Sequence, residues 1–109
     1  MIRVVEPATE QVMAEVPRAG EEELEAAVAR AKAAFGGWSA IEPGERSALL
    51  RRLADRLEQG SDELARLEAR NVGKPISDAR AEIEMVVDTY RYYAAAPERL
   101  LGSTIQVAD

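Results

Sequence analysis

Two short apolar, β-branched runs open the chain, IRVV (residues 2–5) and VMAEV (residues 12–16). Between them Pro7-Ala8-Thr9-Glu10-Gln11 carries turn chemistry, so the pattern predicts a β-hairpin closed off by Pro17 and Gly20. From there the period lengthens. Leu24, Ala27, Val28, Ala31 and Phe35 fall at i, i+3, i+4, i+7 and i+11, one apolar stripe of a helix. That helix opens on Glu21-Glu22-Glu23, acidic residues where the helix dipole favours them, and Gly36-Gly37 is expected to end it. Trp38 then falls on a linker and is expected to plug the core. A second helix starts near Pro43, with Leu49, Leu50, Leu53, Ala54 and Leu57 as its buried face and Arg51, Arg52, Asp55, Arg56 and Glu58 toward solvent. Gly60 breaks it. Ser61 is the expected N-cap of a third helix anchored by Leu64 and Leu67, and Ser77 the expected N-cap of a fourth. The fourth is the longest, from about Ser77 to Ala96, with Ile83, Val87, Tyr90 and Ala94 in one line and Pro97 limiting its far end. After Gly102 a last extended run, STIQV, covers residues 103–107.

The expected fold class is thus mainly α, four helices with a short N-terminal β-hairpin and a C-terminal β-strand. An isolated hairpin is marginal in water, and a lone final strand needs a partner to pair with. Both ends read as elements borrowed from a larger sheet. The 109 residues are therefore expected to form a single partial domain, or part of an oligomer.

Composition narrows the chemistry. The sequence has no Cys and no His, so it offers no thiol nucleophile, disulfide, imidazole base or His-ligated metal. Its net charge of −6, from 14 basic and 20 acidic residues, argues against nucleic acid as a partner. No stretch approaches the roughly 20 apolar residues that cross a bilayer, and MIRVVEPATE is no secretory signal, so the expected location is the cytoplasm.

The candidate sites are few. Gly73-Lys74 in NVGKP has one Gly, a Pro after the Lys and a helix before it, whereas a phosphate loop needs several glycines, Lys then Ser or Thr, and a preceding strand. It reads as a helix–helix connection with Gly at the C-cap. Glu82 and Glu84 point to different faces of their helix. Asp55 and Glu58 share a face but have Arg51, Arg52 and Arg56 as neighbours, which points to solvated ion pairs rather than a divalent cation site. Tyr90, Tyr92 and Tyr93 splay around the helix axis, so one or two are expected to pack and the rest to lie at an interface, a pocket wall or the solvent boundary.

Taken in order, VVEPATEQVMAEVPRAGEEELEAAVARAKAAFGGWS, ERSALLRRLADRLEQGSDELARLEARNVGKP, RYY and LLGSTIQV resemble the N-terminal region of the NAD(P)-dependent aldehyde dehydrogenase superfamily, from about Arg3 to Val107. The resemblance implies part of an α/β fold: a strand pair and helices that pack on a Rossmann-type cofactor domain, with residues 103–109 leading into an oligomerisation arm. It implies a homo-oligomer and oxidation of an aldehyde to a carboxylic acid with NAD or NADP. The alternatives are a stand-alone helical module that self-associates or docks onto a partner through the apolar surface left open, and one chain of a split enzyme with a complementing dehydrogenase chain as partner. The nucleophilic Cys, the general-base Glu, the oxyanion-stabilising Asn and the glycine-rich cofactor turn lie beyond this region in the family. The chain alone is accordingly expected to carry no catalytic or cofactor-binding residue and to bind no cofactor. By position Ala81 and Met85 resemble residues near the family's aldehyde entry tunnel, with ordinary helix packing as the alternative. Val4, Val5 and Asn71 match positions that in some members bind a monovalent cation through backbone carbonyls and an Asp. Three departures stand out. Glu6 replaces a common Asn, Asn71 replaces that Asp, and Thr9-Glu10-Gln11 replaces a common Thr-Gly-Glu, losing the permissive glycine.

Overall fold

The computed structural model describes residues 1–102. The order is β1 (Ile2–Glu6), β2 (Gln11–Val16), α1 (Glu21–Ser39), α2 (Pro43–Gln59), α3 (Ser61–Val72) and α4 (Ile76–Ala94). The expected hairpin and four helices are all present, and the expected strand at 103–107 lies outside the described residues.

β1 and β2 pair antiparallel, with Ile2 opposite Val16, Val4 opposite Ala14 and Glu6 opposite Gln11, and a bulge falls between Val4 and Val5. The connecting turn closes when the Glu10 N–H donates to the Glu6 carbonyl at 2.9 Å. Glu10 itself adopts φ +58°, the left-handed region that glycine occupies without strain. The turn thus keeps a left-handed residue at a position where the chain carries no glycine.

α4 is the central helix. It packs on both α2 and α3, and α3 in turn carries β1. The deepest positions along these seams are small: Ala54 and Ser47 on α2, Ala65 on α3, and Ala79, Val87 and Ala94 on α4. Small side chains let the helix axes approach closely. Leu49, Leu50, Leu57, Leu64 and Ile83 then flank the seam half-buried instead of filling it. Leu53 and Leu67, expected in the core, are exposed because no element stands opposite them.

α1 departs most from expectation. It runs straight through Gly36-Gly37 to Ser39 and buries none of its residues. Two helical glycines cost about 1 kcal/mol each relative to Ala, too little to end a helix already 15 residues long at Phe35. Trp38 therefore lies on the helix, 47% exposed, and does not plug the core. The whole apolar stripe is open, with Phe35 67% exposed. The radius of gyration, 19.9 Å, is well above the roughly 13 Å of a compact domain this long.

Neither serine caps a helix. Ser61 is the first residue of α3, with Gly60 at the N-cap. Ser77 lies inside α4 behind an N-cap Pro75 of fixed φ, and its hydroxyl donates to Asp78 Oδ1 at 3.1 Å. Gly73 does close α3, at φ +76°, and a Cβ there would come within 3.2 Å of Pro7.

Candidate functional site

Ion pairs clamp α4 at three points along its inner side. Near its start Lys74 meets Glu68 Oε1 at 3.0 Å and also Glu82, so the lysine of NVGKP joins the end of α3 to the first turns of α4. Those two carboxylates hold the Lys74 ammonium above its ordinary pKa, Glu82 contributing most. A lysine so engaged is a clip, not a phosphate ligand. One turn on, Arg80 donates to Asp62 Oδ1 at 2.8 Å while Arg66 donates to Asp62 Oδ2 at 2.8 Å. Near the far end Arg91 donates to Glu58 Oε2 at 2.5 Å and lies 3.6 Å from Asp55. The expected ion pairing of Asp55 and Glu58 thus exists, but their partner is Arg91 on α4 rather than the local arginines of α2. Sequence reading missed Arg91 because it sits 33 residues from Glu58.

With its inner side clamped, α4 presents its other side outward. Ala81 and Met85 lie one turn apart on it and line a shallow, open surface groove with Glu84, Asp88, Thr89, Tyr92 and Tyr93. Every lining residue belongs to α4, so the groove has one wall. Met85 is 65% exposed, and Thr89 Oγ1 donates back to the Met85 carbonyl at 2.8 Å. Tyr90, Tyr92 and Tyr93 are all exposed, so the expectation that one or two pack in the core is not met. Tyr92 and Tyr93 instead meet edge to face, 5.2 Å between centroids at 87°, at the end of the groove. Such a surface has apolar and acidic recognition chemistry but no thiol nucleophile.

Val4 is half-buried and Val5 exposed on β1, and Asn71 is exposed on the last turn of α3. β1 and α3 are neighbours through Glu6, whose carboxylate accepts from Arg70 Nε at 3.0 Å. The donors on offer to a monovalent cation are neutral oxygens, with the Arg70 guanidinium one residue from Asn71. The kind of donor fits such an ion, and the charge does not favour it. Among the described residues no three His, Cys, Asp or Glu side chains gather as a metal site.

A dinucleotide phosphate wants a strand, a glycine-rich turn and a free helix N-terminus. The only strand-to-helix step among the described residues is β2 to α1. It begins its helix with three glutamates, and Glu23 Oε2 already accepts from the Gly20 N–H at 2.9 Å. A bond from its own backbone N–H, together with that from Gly20, holds the Glu23 carboxyl below its ordinary pKa. The helix end is filled by its own carboxylate, and the residues present do not fit the cofactor.

The profile of the aldehyde dehydrogenase family matches residues 1–109. A 2-aminomuconic semialdehyde dehydrogenase from Bos taurus is 48% identical over 92 residues, covering 84% of this chain and 19% of that protein. PnpE, solved in complex with nicotinamide adenine dinucleotide, is 39% identical with a TM-score of 0.94 over 98% of this chain and 22% of its own. The glyceraldehyde-3-phosphate dehydrogenase GapN of Methanocaldococcus jannaschii, complexed with NADP, is 25% identical with a TM-score of 0.93 over 100% of this chain and 24% of its own. The chain thus spans about a fifth of the length of the curated relatives it matches. Its hairpin and four helices superpose on one portion of those longer chains, and with the family match running over residues 1–109 the chain belongs to the aldehyde dehydrogenase family.

Proposed function

We propose that these residues serve an NAD(P)-dependent aldehyde dehydrogenase as an N-terminal covering segment, in a parent reaction that oxidises an aldehyde to a carboxylic acid. The observation that carries this reading is α1, a 19-residue helix with an uncovered apolar stripe. A stripe of that length is stable in water only at a cost unless another surface meets it. When bound, NAD or NADP supplies the hydride acceptor, and no residue of this chain is proposed to hold it. Attack on the aldehyde needs a thiolate, and the chain has no Cys.

Within that reading, Ala81 and Met85 line one side of the path by which the aldehyde enters. Support comes from their shared outward face and from Met85, an adaptable apolar side chain left open. The carbonyls of Val4 and Val5 with Asn71 are the proposed position for a weakly held monovalent cation, supported by the seating of β1 against α3. The proposed location is the cytoplasm; among the described residues no helix is long and apolar enough to cross a membrane.

The test is turnover. The purified chain, incubated with an aliphatic or aromatic aldehyde and either NAD or NADP, is expected to form reduced cofactor no faster than a no-protein control. A rate above that control would overturn the reading. A second reading, association with another copy or with a complementing dehydrogenase chain, is favoured by the same open stripe. Sedimentation velocity separates them: a concentration-dependent rise in mass supports association, and a monomer throughout rejects self-association.

A further inference from the structure

We propose that Arg46 is the positioning residue that sets the direction of α1, acting through Trp38. α1 is 19 residues long, about 28 Å, and buries none of its side chains, so nothing along its length holds it in place. Residues 17–20 at its near end are exposed as well. Its direction is therefore decided where it meets α2, and one side chain there touches all three parts of the junction.

Arg46 stands in the first turn of α2, its own N–H donating to the Glu42 carbonyl at 3.0 Å. One guanidinium nitrogen donates to the Ile41 carbonyl, in the link between the helices, at 2.8 Å. The guanidinium carbon lies 5.8 Å from the centroid of the Trp38 ring, on the last turn of α1. The Nε is buried and meets no protein acceptor among the described residues, which marks how closely the junction closes around it. Arg suits this position because its planar fork hydrogen-bonds along an edge while its delocalised charge stays within cation–π range of the indole. Lys offers one point charge and cannot hold both directions at once.

The leverage is large. A rotation of roughly 10° at Trp38 displaces the far end of a helix this long by about 5 Å. The cation–π contact thus determines where Leu24 and Val28, far from the junction, present their apolar surface. The inference concerns the chain by itself and holds whether or not the stripe is later covered by the rest of a dehydrogenase.

The absence of Cys makes the test clean, since two introduced thiols are the only labelling sites. Spin labels at Ala29→Cys on α1 and Gln59→Cys on α2, both exposed, report the inter-helix distance distribution. The expected result is a single narrow distance in the parent. Its width is expected to increase at least twofold in Arg46→Met, to take an intermediate value in Arg46→Lys, and to match Arg46→Met in Trp38→Ala. The double variant is expected to be no broader than either single one, because both remove the same contact. Helix content by circular dichroism stays unchanged in Trp38→Ala, whose side chain fills no part of the α2–α4 seam. Should Arg46→Met unfold, Trp38→Ala decides alone. A distribution already broad in the parent, or one that stays narrow in Trp38→Ala, overturns the proposal.

Discussion

Glu6 and Arg70 stand 64 residues apart and meet across the junction between the hairpin and α3, Arg70 Nε donating to Glu6 Oε1 at 3.0 Å and a terminal nitrogen to Oε2 at 3.5 Å. Thr9 Oγ1 donates to the same carboxylate at 3.1 Å, so the turn and the helix share one acceptor. A two-stranded hairpin is marginal by itself, and this fork is a principal tie between it and the helices. Arg70→Met is expected to lower hydrogen-exchange protection in β1 and β2 by about two- to fivefold, the range of an exposed ion pair, and to leave α2 and α4 unchanged. Equal loss in all elements would show that the hairpin is held by something else.

The same contacts set a pH dependence. The Arg70 hydrogen bond, aided by Thr9, holds the Glu6 carboxyl below its ordinary pKa. Arg91 does so for Glu58, and Arg66 with Arg80 for Asp62. In each case the unfolded chain takes up protons at a higher pH than the folded one. The contribution is therefore complete above the ordinary carboxylate range, about 4 to 4.5, and is lost as pH falls through the lower folded values. Lys74 runs the other way, its raised pKa giving stability below about 10.4 that is lost as pH rises through the folded value. Denaturation midpoints are expected to be level near neutrality and to fall below about pH 4.5, less steeply in Asp62→Asn. Because these pairs are exposed, added salt flattens the dependence.

Glycines in this chain divide by what surrounds them. Gly73 has φ +76° and Pro7 only 3.2 Å from where a Cβ would sit, so Gly73→Ala is expected to cost about 1–2 kcal/mol. Gly36 and Gly37 are helical with nothing within 4 Å of a built Cβ. Gly36→Ala and Gly37→Ala are each expected to stabilise by about 0.5–1 kcal/mol. Thermal melts of the three variants check both signs.

Glu10 offers a gain of another kind. Its φ of +58° strains any residue with a Cβ. Glu10→Gly is expected to raise stability by about 1 kcal/mol, read as a higher denaturation midpoint with an unchanged slope. No gain would mean the turn relaxes without help.

In the α2–α4 seam the two directions separate again. Val87 is 4% exposed, and Val87→Ala is expected to cost about 2 kcal/mol through the cavity it leaves. The Ser47 hydroxyl is fully buried and finds no protein partner among the described residues. Ser47→Ala is expected to be neutral or to stabilise by about 1 kcal/mol, since it removes a desolvated polar group and little volume. A loss above 1 kcal/mol would show that the hydroxyl is satisfied after all.

Which elements form was legible from residue types, though the end of α1 and the caps of α3 and α4 were not. Turn chemistry at Pro7–Gln11 announced the hairpin, the 3.6-residue period announced four helices, and Gly73 announced the end of α3. The candidate chemistry was legible to the same depth: a chain without Cys has no thiolate to offer, and NVGKP lacks what a phosphate loop needs. Tertiary structure alone decided which apolar faces are covered. Period placed Leu24, Val28 and Phe35 on one stripe as plainly as it aligned Val87 with Ala94, yet the first stripe is open while Val87 and Ala94 are buried. It also decided the partners of Glu6, Asp55, Glu58 and Arg46, each distant in sequence or placed by a junction. The physical reason is the same throughout. Backbone propensity and periodicity act over a few residues and determine which side chains share a face, whereas burial and ion pairing require a second element opposite that face, and only the folded chain determines which one stands there.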